Sequence, residues 1–190
     1  GQSGFQPGFT GRKNDTFQSD ATCYIQISGG NLTVNAGGDG LDSNGNITVT
    51  GGVTYVSGST NSADSALDYD GTGIITGGVI ILTGNSGMAQ NFGTASTQGS
   101  ILLNFSSTST APVTLADSDG NTILTYQPPK TYNSVVVSAP SLTKGNTYSL
   151  SACGQTQNIT LSSLIYGSGG MGGGGMGGGS QPGGRPGGRP

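Results

Sequence analysis

All the acids of this chain are aspartates, and seven oxygen-bearing side chains fall into two tight groups. Asp39, Asp42, Asn44 and Asn46 lie within eight residues, and Asp64, Asp68 and Asp70 within seven. Carboxylates and amides this close, in glycine-rich turns, are hard oxygen donors of the kind calcium takes, roughly six to eight at a time. The spacing is not that of a helix–loop–helix calcium site, because no glutamate exists to close the loop. The same residues also fit Asx turns, in which each side chain bonds its own backbone. Asp39, Asp42, Asn44, Asp64, Asp68 and Asp70 are therefore candidate ligands for Ca2+, with a turn role as the alternative.

Catalysis is the weaker chemistry. A glycoside hydrolase needs two carboxyls flanking the bond, which Asp64, Asp68 and Asp70 could supply. A uronate lyase needs a strong base and a cation. No Lys or Arg lies between Lys13 and Lys130, and the chain has no His. The reading is a non-enzymatic protein. Sugar contact would use an aromatic face or a bridging metal. There is no Trp, and Tyr69, flanked by Asp68 and Asp70, is the candidate carbohydrate-binding residue.

The acids must be positioned by a repeat. Ile27-Ser28-Gly29-Gly30, Val49-Thr50-Gly51-Gly52 and Ile75-Thr76-Gly77-Gly78 carry one phrase, a β-branched residue, a hydroxyl residue and two glycines. A second phrase keeps step: Gly40-Leu41-Asp42, Ala66-Leu67-Asp68 and, more weakly, Gly87-Met88-Ala89. Two signals on one period of 20–50 residues imply stacked units. Stacking would bring Asp42 beside Asp68. Leu32, Val34, Leu41, Ile47, Val49, Tyr55, Leu67, Ile74, Val79, Ile81 and Met88 are the expected core.

Composition agrees. Charged residues make up 8% and Gly 38 of 190, against about 25% charged in an average globular chain. Little helix is expected. The net charge of −3 argues against nucleic acid, which needs a basic stripe. No apolar run reaches the roughly 20 residues of a membrane span. The composition fits an extracellular or cell-surface protein.

The chain divides into an extended arm (1–22), repeats (23–100), a β region capping them (101–166) and a Gly/Met/Pro/Arg-rich tail (167–190). Strands are expected at 101–105, 113–116, 122–126, 134–138, 147–151 and 158–165. Asp117-Ser118-Asp119-Gly120-Asn121 marks a hairpin turn. The fold expected is all-β, a short right-handed parallel β-helix of about three coils followed by a mostly antiparallel β region. Cys23 and Cys153 are either two unrelated thiols or one disulfide, within a chain or between chains.

Four phrases are specific together: GGDGLDSNGNITVTGG at 37–52, ALDYDGTGIITGG at 66–78, GNSGMAQ at 84–90 and LADSDGNTILTYQPPKTYNSVVVSAP at 115–140, with the tail. In them, from about residue 24 onward, the chain resembles a family of secreted bacterial carbohydrate-binding β-helix proteins. The resemblance covers the carboxyl-terminal part of those proteins and excludes residues 1–22. It implies a right-handed parallel β-helix, bound calcium and affinity for acidic polysaccharide.

Two functions follow. One is a structural subunit of an extracellular homopolymeric fibre, joined head-to-tail through the arm 1–22 and the tail 167–190, with polysaccharide contact as an accompanying role. The other is a calcium-dependent module that holds acidic polysaccharide at a cell surface. An uncapped stack and a low charge favour the first.

Overall fold

A computed structural model describes residues 19–167. Most of the arm 1–22 and of the tail 167–190 lies outside the described residues. The chain is all-β, with no helix among the described residues. Its strands are β1 (Tyr24–Asn35), β2 (Leu41–Ser43), β3 (Asn46–Ser57), β4 (Leu67–Tyr69), β5 (Gly73–Gly84) and β6 (Ser100–Ser109). Then come β7 (Val113–Asp117), β8 (Thr122–Tyr126), β9 (Tyr132–Ser138), β10 (Thr147–Ala152), β11 (Gln155–Thr160) and β12 (Ile165–Tyr166).

Three sheets result, and none closes on itself. The largest is mixed, in the order β1-β3-β5-β9-β6-β12. A second, β11-β10-β7-β8, is antiparallel, and a third is the parallel pair β2-β4. The repeats stack in parallel at the spacing of the glycine pairs. Ile27 aligns with Val49 and Val49 with Ile75, and after the glycines Val34 aligns with Val56 and Val56 with Leu82.

The glycine pairs do specific work. Each marks a register shift, and the second glycine of each pair has positive φ (Gly30 78°, Gly52 87°, Gly78 92°). A Cβ on Gly52 or Gly78 would come within 2.9 Å of the pair in the preceding repeat. The kink also changes which parity faces inward. Ile47 and Val49 point into the repeat core before it, and Thr54 and Val56 after it. Alternation cannot be carried through such a bulge.

Three core assignments are corrected, the first of them by that parity change. Tyr55 faces away from the repeat core and stacks on Tyr126, ring centroids 4.8 Å apart. Ile74 is half-buried whereas its neighbour Ile75 is fully buried. Met88 is half-buried, and Ala89 takes the inward place beside Leu41 and Leu67. Leu41, Ile47, Val49, Leu67 and Ile81 are buried as expected.

The boundary near residue 100 is not a break. β9 runs antiparallel between β5 and β6, so the capping region completes the sheet of the repeats. Ile80, Leu82, Leu102 and Val136 face the repeat core, while Ile81, Ile101, Leu103, Val135 and Val137 face a second core under the antiparallel sheet. Strands buried on both faces read as unbroken apolar runs, as 79–82 does. The stretch 158–165, expected as one strand, is instead the end of β11 and the start of β12, separated by a bend.

Candidate functional site

The acids lie on the small parallel sheet. In β2 and β4, Leu41 and Leu67 point inward, 5% and 1% exposed, which turns the next residue of each strand outward. Asp42 and Asp68 are thus register partners. Asp39 precedes β2, and its Oδ1 accepts a hydrogen bond from the Ser65 amide at 2.6 Å, fastening one repeat to the next. Asp70 follows β4, and its amide donates to the Ser43 carbonyl at 3.2 Å.

The charges feel one another. The Asp68 carboxyl is pushed above its ordinary value, first by partial burial and then by Asp39, Asp42 and Asp70. The Asp42 carboxyl is pushed up by the water its surroundings displace, then by Asp39 and Asp70. The third rung of this ladder is not an acid. Gln90 Nε2 donates to Asp68 Oδ1 at 3.3 Å, and Gln90 Oε1 accepts from the Tyr69 amide at 3.2 Å.

Two expected members stand apart from this arrangement. Asn44 uses its carbonyl to accept the Asp20 amide at 2.8 Å and is exposed. Asp64 is half-buried in the loop before β4, its amide 3.4 Å from the Asn61 carbonyl. Carboxylates suit a hard cation, but among the described residues no three acidic or cysteine side chains gather as a metal-holding group. Asp42 and Asp68 form one register pair, continued by Gln90.

Tyr69 sits at the end of the ladder. Its ring is half-buried, and its hydroxyl donates to the Asn91 carbonyl at 2.6 Å. Burial pushes the phenol up from its ordinary value. It borders a cavity of about 450 Å³ with Phe92, Thr94 and Ile165. Phe92 is only 2% exposed and offers no free ring face.

Cys23 and Cys153 are free thiols, so no disulfide joins them within the chain. Cys23 lies in the corner before β1, against Gly45. Cys153 turns at the β10–β11 hairpin with φ of 52°, and its thiol donates to the Tyr132 carbonyl at 3.2 Å. Burial pushes that thiol up from its ordinary value, away from the reactive thiolate.

Asn91 and Gln98 carry structure that composition does not reveal. Asn91 Nδ2 donates to the carbonyls of Tyr166 and Gly167, each at 2.9 Å. Its Oδ1 accepts from the Phe92 amide and Ser100 Oγ. Gln98 Nε2 donates to the Gly78 carbonyl at 2.8 Å and Ser138 Oγ at 2.7 Å. The one available signal is four side-chain amides (Asn85, Gln90, Asn91 and Gln98) in the stretch between β5 and β6, where a chain without regular structure must still pair its buried backbone.

Comparison with protein families, curated proteins and solved structures finds no match. The family resemblance therefore rests on the quoted phrases alone.

Proposed function

We propose that this chain is a non-catalytic β-solenoid subunit of an extracellular fibre built from copies of itself. The observation that carries the reading is β1. Among the described residues it is a twelve-residue edge strand, and YIQISGGNLTVN contains no charge and no proline. Edge strands that must stay single are usually shortened, bulged away, charged or covered. β1 shares its bulge with its partner β3, so the bulge does not remove it from pairing. Tyr24 at its start is 69% exposed. In this reading the stacked repeats are a short right-handed parallel β-helix, open at the β1 end and joined to the antiparallel region at the other. Contacts between unlike ends do not close and give a filament.

The test is electron microscopy and sedimentation of the full chain across a concentration series. Filaments support the reading, and a monomer at every concentration sinks it.

A second reading rests on Asp42, Asp68 and Tyr69. A carboxylate pair can share a calcium ion with a uronate, the sugar completing the ligand set that the protein alone does not gather. Here the chain is a calcium-dependent module for acidic polysaccharide at a cell surface. Retention on a polyuronate column in calcium and release by chelator support it. Equal elution of parent and Asp42→Asn/Asp68→Asn protein counts against it.

A further inference from the structure

We infer that the outer edge of β1 receives the glycine-rich tail of a second copy, with Ser168-Gly169-Gly170 laid against Ser28-Gly29-Gly30. The inference deepens the fibre reading and rests on it.

The first observation concerns what each glycine pair is for. A Cβ at Gly51 would lie 2.7 Å from the Ser28 carbonyl oxygen, and one at Gly77 would lie 2.4 Å from the Thr50 oxygen. In each repeat, then, the first glycine makes room for the backbone of the strand before it. Gly29 holds the same place in β1, yet among the described residues a Cβ there would meet nothing within 4 Å, and its φ is not positive. Nothing among the described residues of one copy requires glycine at 29. A further strand on the open edge of β1 would require it.

The second observation identifies the strand. The phrase of a hydroxyl residue and two glycines occurs four times in the chain. Three of these are the stacked pairs. The fourth is Ser168-Gly169-Gly170, in the 23 residues that follow the last described one, Gly167. An incoming strand that follows the bulge of β1 needs a residue able to take positive φ opposite Gly30, and Gly170 is such a residue. Met171 follows where Asn31, Val53 and Val79 follow in the repeats, and methionine fits irregular apolar surface. Strand addition on an open edge supplies the backbone hydrogen bonds. Neither β1 nor residues 166–184 carry a charge that would oppose the contact.

Three proteins decide it: the parent chain, Gly29→Val, and a chain ending at 167. Assembly is followed by sedimentation and microscopy, and folding by thermal melting. Binding of a synthetic peptide of residues 164–178 to the chain ending at 167, with and without Gly29→Val, is measured by fluorescence anisotropy. The expected result is that the parent forms filaments while both variants melt like the parent monomer and form none. The peptide binds the truncated chain and not its Gly29→Val version. Filaments from Gly29→Val, or from the truncated chain, overturn this joint and leave the fibre reading standing. A parent that never assembles overturns the fibre reading. In that case, peptide binding abolished by Gly29→Val would still establish the joint, and no binding would remove it.

Discussion

Asp42 and Asp68 stand opposite one another on parallel neighbours β2 and β4, each directly after a leucine that anchors its strand in the core. Like charges facing each other in a sheet are destabilising. The position of each carboxylate is fixed by the burial of Leu41 and Leu67 rather than by attraction.

This pair sets a pH dependence. A carboxyl whose pKa is raised on folding holds more protons in the folded state than in the unfolded state between the two values. Stability therefore falls as pH climbs through the folded value and recovers as pH drops toward the unfolded 3.8. Asp20 and Asp117 act oppositely. Hydrogen bonds from Thr22 and Asn121 respectively hold their carboxyls below the ordinary value, and that stability is lost as pH falls below 3.8 through their folded values. The melting temperature should rise as pH drops from neutral toward 3.8 and then fall in stronger acid. Asp68→Asn keeps an acceptor for Gln90 and should flatten the rise, raising stability at pH 7 by about 0.5 kcal/mol after solvent screening. A melting temperature that falls steadily as pH drops from 7 toward 3.8 would contradict the repulsive pair.

The stacking of these two residues was legible from sequence, because the Leu-Asp phrase and the glycine pairs share their intervals. The third rung was not. Ala89 and Gln90 fill it, and neither repeats the Leu-Asp chemistry, so Met88 was read one residue out of register. Tyr55 was misplaced for a different reason: alternation counted through a bulge puts every later residue on the wrong side. The insertion of β9 between β5 and β6 left no trace in local pattern, since antiparallel partners far apart in sequence are chosen by the core they jointly cover. Asn91 and Gln98 gain meaning only from what lies beside them, and Gly29 only from comparison with Gly51 and Gly77.

Thr54 Oγ1 is buried without a hydrogen-bond partner among the described residues. It occupies the inward column between Leu32 and Ile80, where its neighbours are aliphatic. A buried hydroxyl without a partner costs the desolvation of that group. Thr54→Val keeps the shape and removes the orphan, and should raise stability by about 1 kcal/mol, or ~2–4 °C. Chemical denaturation measures it. A destabilised variant would mean that the hydroxyl has a partner, such as an internal water.

The repeat glycines should not be equivalent. Gly77→Ala places a Cβ 2.4 Å from the Thr50 carbonyl oxygen, an atom of fixed backbone. It should cost roughly 1–3 kcal/mol, as overpacking does. Gly29→Ala, which meets nothing within 4 Å, should change monomer stability by less than ~0.5 kcal/mol. Urea titration of the chain ending at 167 compares them without assembly. Equal losses at both positions would remove the distinction between closed and open glycine pairs.

Asn91 should decide whether β12 stays attached. β12 is two residues long, pairing Ile165 with Ser100 and Tyr166 with Ile101, too few contacts to hold a strand by its own ladder. The Asn91 amide supplies two further bonds, to the carbonyls of Tyr166 and Gly167 at 2.9 Å. Asn91→Asp keeps the size and the acceptor for the Phe92 amide but replaces both donors with a carboxylate oxygen. That oxygen would face two carbonyls from a residue that is 6% exposed. An uncompensated buried charge costs about 3–5 kcal/mol, more than so short a strand can resist. The amides of Ile165 and Tyr166 should therefore lose hydrogen-exchange protection at pH 7 while β7, β10 and β11 keep theirs. Protonating the introduced carboxyl restores one donor, so protection should return in part on acidification. Unchanged protection of Ile165 and Tyr166 in Asn91→Asp at neutral pH would show that β12 is held by packing of Ile165 and Tyr166 alone.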